Sequence, residues 1–325
     1  MISVLIHYFT NIFEEQIQYN LAMENFHHLT GVFAATVTPL KPDLSLDVDG
    51  LTTLLQFLAN RGCHGVLLMG TTGEGPSFSI NERLAVYQAA AMARQHLPDL
   101  QLLAGTGTPS LDDTIFLTRA AFDQGYDGVV VLPPYYFRKA TDDGLYSWFS
   151  QVLEKSVPSD GSLLGYHIPP VSGVSLSLDL LARLKDSYPH QFMGVKDSSG
   201  DPNWARALGD RFGSDMIVLN GNDRLFSHAL SSKASGCITA MANLLSPLLR
   251  KVWDNFLTGT EDEISQDKLS AAREVLDRYP PMPPLIKLML TGLHGFPSWK
   301  VKPPLLEFDP GQAEVVLSEF LAAVD

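Results

Sequence analysis

From residue 31 onward, short apolar runs alternate with longer amphipathic stretches. The runs at 31–37, 65–69, 102–105, 128–132, 163–167, 192–195, 216–220 and 236–240 are four to seven residues long and bounded by turn formers, so they read as strands. They are apolar throughout rather than alternating, which suits parallel strands buried on both faces. Between them the periodicity changes to that of helices, at 47–60, 81–95, 110–124, about 142–153, 177–187, 203–212, 224–231 and 247–256. Ser79 is placed to cap the second of these.

Eight strand–helix units closing near residue 256 predict an α/β protein, a (β/α)8 TIM barrel occupying residues 29–256. No GxGxxG follows the first strand, which weakens an open dinucleotide-binding sheet. Residues 257–325 read as a helical appendage broken by Pro280, Pro281, Pro283, Pro284, Pro303 and Pro304. Residues 1–28 look different. The first thirteen are apolar and aromatic, without a basic segment or a cleavage site, and are too short to span a bilayer. Residues 1–22 are therefore expected to be a mobile arm or the product of an upstream start codon.

Composition narrows the class. The 325 residues are 45% hydrophobic, enough for a full core, and carry a net charge of −13. That sign argues against nucleic acid or an anionic membrane as partner, and leaves small molecules. Two cysteines, Cys63 and Cys237, are too few and too far apart for a disulfide framework or a zinc site, which points to a reducing, cytoplasmic setting.

In such a barrel the chemistry sits at the C-terminal ends of the strands. Those ends carry Gly70-Thr71-Thr72-Gly73-Glu74, Pro133-Pro134-Tyr135-Tyr136, Tyr166-His167-Ile168-Pro169, Lys196-Asp197-Ser198, Asn220-Gly221-Asn222-Asp223 and Ile238-Thr239-Ala240. Lys196 ends an apolar run, and burying an ammonium there favours the neutral, nucleophilic amine that forms a Schiff base with a carbonyl. The alternative is a lysine that reaches solvent or pairs with Asp197. Thr71 and Thr72, between glycines, can hold a carboxylate through amides and hydroxyls, or can simply close a turn. Tyr166 lies on the strand before Lys196, where a phenol can pass protons or pack as a core aromatic. A lone His167 makes a poor metal centre, and no phosphate loop is present. Together the residues suit imine chemistry on a 2-oxo acid, with no cofactor and no metal.

These motifs resemble the dihydrodipicolinate synthase / N-acetylneuraminate lyase family of class I, pyruvate-handling aldolases, over roughly residues 29–310. Gly70-Thr71-Thr72-Gly73-Glu74 is similar to the family's carboxylate-binding loop. Tyr166-His167-Ile168-Pro169 is similar to its Tyr-Asn-x-Pro segment, Gly194-Val195-Lys196-Asp197 to its lysine strand, and Pro134-Tyr135-Tyr136 to its Pro-Tyr-Tyr. The resemblance implies Lys196 as imine lysine and Tyr166 as general acid/base. Thr71 and Tyr136 would complete a proton relay across a subunit contact, and Thr72, with Gly70, would bind the pyruvate carboxylate. It also implies a homotetramer built as a dimer of dimers.

The departures concern the second substrate, an aldehyde. The lysine-biosynthesis synthases place an arginine five residues after the catalytic tyrosine, and here that residue is Val171, which cannot form a bidentate clamp. Residues 166–178 look more like sialic acid lyases and 2-keto-3-deoxy-sugar-acid aldolases. Asp223 keeps the first member of the polyol-gripping pair of sialic acid lyases, and Arg224 reverses the second. Gly221, Asp223 and Ile238 are expected to line the substrate site, and His167, in place of the usual Asn, to offer a hydrogen bond to a hydroxyl or carboxylate. The expected reaction is cleavage of a 2-keto-3-deoxy sugar acid, or of 4-hydroxy-2-oxoglutarate, to pyruvate and an aldehyde. The rivals are a dihydrodipicolinate synthase with Arg138 replacing the clamp, a dehydratase using the same imine, and a barrel that binds 2-oxo acids without turnover.

Overall fold

In a computed structural model, which describes residues 29–213 and 215–325, the eight apolar runs form one closed sheet. Its strands are β1 (Gly31–Ala35), β2 (Gly65–Leu68), β3 (Gln101–Gly105), β4 (Gly128–Val131), β5 (Leu163–His167), β6 (Phe192–Asp197), β7 (Ile217–Asn220) and β8 (Gly236–Thr239). They follow one another in sequence order, all parallel, and β8 pairs back with β1. The surrounding helices are α1 (Val48–Asn60), α2 (Ile80–Arg94), α3 (Leu111–Asp123), α4 (Asp142–Ser156), α5 (Pro169–Ser172), α6 (Leu178–Ser187), α7 (Pro202–Phe212), α8 (Phe226–Ser231) and α9 (Ala242–Leu257). Three more, α10 (Glu263–Asp277), α11 (Met282–His294) and α12 (Pro310–Val324), follow the barrel. The result is a (β/α)8 barrel with C-terminal helices. The arm expected over residues 1–22 lies outside the described residues.

Each strand supplies two apolar rows because successive side chains face opposite ways. Phe33, Leu67, Leu103, Val130, Leu164, Ile217 and Ile238 fill the lumen. Val32, Val66, Leu102, Val129, Leu163, Val218 and Cys237 pack outward in the larger core shared with the helices. Both rows are dry, hence the continuous apolar runs. Cys63 and Cys237 are buried, free thiols. Among the described residues no helix is long and apolar enough to cross a membrane.

Side-chain caps set the helix starts. Asp47, Ser110, Thr141, Ser177 and Asp201 each accept a backbone N–H, and Ser79 forms a reciprocal capping box with Glu82. Two expectations need correction. The last barrel helix starts at Ala242, not near Pro247, and Leu245 takes a non-helical φ just ahead of the proline. Pro283 and Pro284 do not break a helix. They lie in the first turn of α11, where an N–H has no intrahelical acceptor to lose.

The appendage is fastened to the barrel mouth by buried polar contacts. Lys287 on α11 donates to Glu74 at 2.6 Å, both side chains being almost wholly buried. The other Glu74 oxygen accepts from the Lys302 backbone at 2.8 Å. Trp299 donates to Asp47 at 3.0 Å, and Arg273 on α10 pairs with Asp223 at 2.9 Å. Burial lowers the pKa of Lys287, and the facing Glu74 carboxylate opposes that shift.

His167, the last residue of β5, also serves the fold. It faces away from the lumen, its Nδ1 accepting from the Leu176 backbone at 3.0 Å while its ring stacks on Trp204 with centroids 4.8 Å apart. Burial pushes its pKa down to about 4.

Two predictions follow from these contacts. Lys287→Met strands the Glu74 carboxylate in the interior, at a cost of about 3 kcal/mol or more. Thermal unfolding should show Tm lowered by more than about 5 °C, and an unchanged Tm would show that the pair contributes no net stability. For His167 the folded pKa lies below the unfolded one, so its contribution is complete above pH 6.5 and is lost as the pH falls from there to about 4. The full effect is on the order of 3 kcal/mol. Urea titrations from pH 4 to 7 should show a shallower pH slope for His167→Asn, whose amide can still accept from Leu176. Equal slopes would remove this histidine from the acid-unfolding account.

Candidate active site

The site forms where β2, β5 and β6 reach the barrel mouth. Tyr166 and Lys196 are partners in the β5–β6 register, so both side chains enter the lumen at one level. That register depends on an irregularity. Leu163 pairs with Phe192 but Leu164 pairs with Gly194, so Met193 is an extra residue in β6. Gly194 permits the bend, because a β-carbon there would lie 2.0 Å from the Ile217 carbonyl oxygen. Without the extra residue Tyr166 would face Val195.

Lys196 is almost fully buried, and its Nζ lies 4.2 Å from the centroid of the Tyr166 ring. It forms no ion pair with any carboxylate among the described residues. The Tyr166 hydroxyl is 3.3 Å from Thr71 Oγ1, and Ser198 lies close enough to favour its ionised form. Burial alone would raise the pKa of this phenol. The charge of Lys196 and the hydrogen bonds from Thr71, Lys196 and Ser198 outweigh burial and hold it below the usual tyrosine value. Tyr166 can therefore take up and return a proton beside the amine.

The 70–75 turn sits opposite. Its backbone closes on itself, Glu74 donating to the Thr71 carbonyl and Gly75 to that of Gly70, both at 3.1 Å. Glu74 holds a left-handed φ of 59°. The Lys287 ion pair and the Lys302 amide fix its carboxylate, so the appendage holds the turn in place. Thr38 adds a hydrogen bond to the Gly73 carbonyl at 2.7 Å. Thr72 is a buried residue whose hydroxyl has no protein partner among the described residues, which leaves it open to a ligand. A cavity lined by Met69, Gly70, Thr71, Gly105, Leu132 and Tyr166 opens here. Ile238 is fully buried among the lumen side chains below it.

Other expected site residues are placed differently. The outward-facing His167 cannot offer the hydrogen bond expected of it, because its position next to Tyr166 puts it on the opposite strand face. Asp223 is fully buried; Arg273 holds its Oδ2 and so braces α10, while its Oδ1 has no hydrogen-bond partner among the described residues. Its burial raises its pKa, and Arg273 and Thr239 only partly offset that. Gly221 makes room for a neighbour, since a β-carbon there would fall 1.9 Å from Ser198 Oγ. Val171 lies on α5 at the rim, 59% exposed. Tyr136 is 77% exposed, stacks edge-on against Phe137, and does not reach Tyr166 within the chain.

Ser198 went unassigned in the sequence, where it stands only as part of the lysine motif. Its position two residues after Lys196 is the signal, since strand alternation returns it to the lysine's face.

Comparison with known proteins matches this geometry. The model of the dihydrodipicolinate synthetase family matches residues 28–318. An uncharacterized DapA-like lyase of Chloroflexus aurantiacus is 37% identical over 277 residues, covering 85% of this chain and 91% of that protein. A 4-hydroxy-tetrahydrodipicolinate synthase of Methanosphaerula palustris is 30% identical over 298 residues, covering 91% and 99%. The crystal structure of dihydrodipicolinate synthase from Agrobacterium tumefaciens superposes with a TM-score of 0.81 at 30% identity, over 91% of this chain and 100% of that one. YagE, an E. coli K12 prophage protein crystallised with pyruvate, shares the fold with a TM-score of 0.85 at 24% identity, over 91% and 98%. A lysine and a tyrosine joined in register at the mouth of a (β/α)8 barrel, with a family match spanning nearly the whole described chain, place this protein in the dihydrodipicolinate synthetase family of aldolase-type carbon–carbon lyases.

Proposed function

We propose that the chain is a Schiff-base aldolase that cleaves a 2-oxo-4-hydroxy acid, a 2-keto-3-deoxy sugar acid or 4-hydroxy-2-oxoglutarate, to pyruvate and an aldehyde. The observation that carries this reading is the buried Lys196 Nζ, 4.2 Å from the ring of Tyr166 and in no ion pair among the described residues. Lys196 adds to the substrate's C2 carbonyl, and loss of water leaves an iminium. Thr72 and the amides of the 70–75 turn hold the adjacent carboxylate. Tyr166 takes the proton of the C4 hydroxyl, the C3–C4 bond breaks, and its electron pair moves into the enamine as the aldehyde leaves. Tyr166 then returns the proton to C3, with Thr71 and Ser198 orienting the phenol, and water releases pyruvate. The iminium is the electron sink, so the scheme draws on no cofactor and no metal.

The exposed Tyr136 and Phe137 suit contact with a second copy, in which Tyr136 would join the neighbour's relay. A homotetramer in the cytoplasm fits this reading. A condensing synthase is the second reading, favoured by the name of the Methanosphaerula palustris relative. The neutral Val171 stands against it, and assay with pyruvate and aspartate semialdehyde separates the two. A dehydratase would release a longer oxo acid instead of pyruvate.

Borohydride reduction with pyruvate should leave an adduct on Lys196, found by peptide mass spectrometry. Lys196→Ala should lose both the adduct and pyruvate release. Folded protein without an adduct would end the imine reading. Tyr166→Phe keeps the ring and loses the proton carrier, so kcat should fall by about 10²-fold or more while trapping persists. A loss below about threefold would take Tyr166 out of the proton path.

A further inference from the structure

Arg138 lies in the turn after β4, at the same end of the barrel as Lys196. Its stem crosses to the next loop and rests on Gly173, which ends α5 just beyond Tyr166 and His167. A β-carbon at Gly173 would fall 2.7 Å from Arg138 Cδ and 3.0 Å from Nε, and Gly173 has a φ of +68°. Glycine there leaves the space the arginine occupies.

The guanidinium forms no ion pair or hydrogen bond among the described residues. This is notable in a chain with 36 acidic residues against 23 basic ones, where Arg94, Arg183, Arg211, Arg250, Arg273 and Arg278 each hold a carboxylate. Three acids at the mouth face other groups: Glu74 pairs with Lys287, Asp223 with Arg273 through Oδ2, and Asp197 accepts from the Ser199 amide. The nearby rim residue Val171 is neutral and exposed. The rim between the β4 and β5 loops thus carries an uncompensated positive charge whose stem is already packed.

We propose that Arg138 is the specificity residue for the far end of the substrate, binding a second carboxylate remote from the 2-oxo acid group. The inference rests on the aldolase reading: a substrate joined to Lys196 through C2, with its first carboxylate at Thr72, extends its other end toward the rim. A guanidinium recognises a carboxylate through two parallel hydrogen bonds. The favoured substrate class is therefore the 2-oxo diacid, such as 4-hydroxy-2-oxoglutarate, over a sugar acid ending in a hydroxymethyl group.

The test compares borohydride trapping of 2-oxoglutarate and 2-oxopentanoate, which share a 2-oxo acid end and differ at the distal carboxylate. Both condense with Lys196 by loss of water. In the unmodified protein the half-trapping concentration should be about tenfold or more lower for the diacid. Arg138→Ala should bring the two within about twofold, mainly by weakening the diacid, and Arg138→Lys should recover part of the preference. Equal trapping in the unmodified protein, or a preference that survives Arg138→Ala, would overturn the role of Arg138 while leaving pyruvate trapping, and the aldolase reading, intact. Failure of pyruvate itself to trap on Lys196 would remove the aldolase reading and Arg138's role together.

Discussion

The chemistry at this barrel mouth depends on a one-residue shift between two strands. Parallel pairing that began with Leu163 opposite Phe192 and ran on unbroken would set Tyr166 against Val195 and turn the lysine outward. The extra residue at Met193 moves β6 forward by one, and alternation then brings Lys196 into the lumen level with the phenol. Gly194 is the local requirement, since any side chain there would strike the backbone of β7. Ser198 follows by the same period of two, and Gly221 leaves room for it. The facing of Lys196 and Ser198 thus follows from one irregularity in one strand.

The two buried lysines have contrasting surroundings, one suited to a brace and one to the proposed nucleophile. Lys287 and Lys196 are about equally buried. Lys287 faces a carboxylate at 2.6 Å and a backbone carbonyl, so its charge is neutralised in place and it ties α11 to the 70–75 turn. Lys196 faces an aromatic ring and a hydroxyl network that can exchange protons with it. The brace also serves the chemistry. The turn that carries Thr71 and Thr72 contains a left-handed glutamate whose carboxylate, among the described residues, is held by groups more than 200 residues further along the chain. The C-terminal helices are therefore part of the site's support.

Much of this was legible in the sequence, for identifiable physical reasons. Eight doubly buried strands leave continuous apolar runs, and the residues closing each run mark the mouth, so the barrel and the places of Lys196, Tyr166 and Thr71 could be read directly, while their roles came from the family resemblance. The outward turn of His167 was implicit in its place beside Tyr166, and the resemblance to a Tyr-Asn motif drew attention away from it. Asp223 could not be read, because its partner Arg273 lies 50 residues on and nothing local announces the pair. The extra residue in β6 was invisible for a different reason: a shift of one leaves the apolar run unchanged. The prolines at 283 and 284 misled because composition alone does not say whether a proline falls in a helix's first turn or its interior.

The division of labour between strands and loops bears on what distinguishes this chain within its family. The lysine, the tyrosine and the carboxylate turn are held by strand register and buried pairs, where a change disrupts the fold as well as the reaction. The departures gather on the rim. Val171, Gly173 and the Tyr136–Phe137–Arg138 turn lie at the surface, outside the strand register and the buried ion pairs. Gly173 both takes the left-handed φ that ends α5 and leaves room for the Arg138 side chain, whose guanidinium has no partner among the described residues. On the proposed reading, the neutral residue at 171 and the cation at 138 act as one feature, with the positive charge carried by the β4 loop rather than by α5. A substrate's far end would then be gripped from a different direction, with the proposed imine chemistry below unchanged.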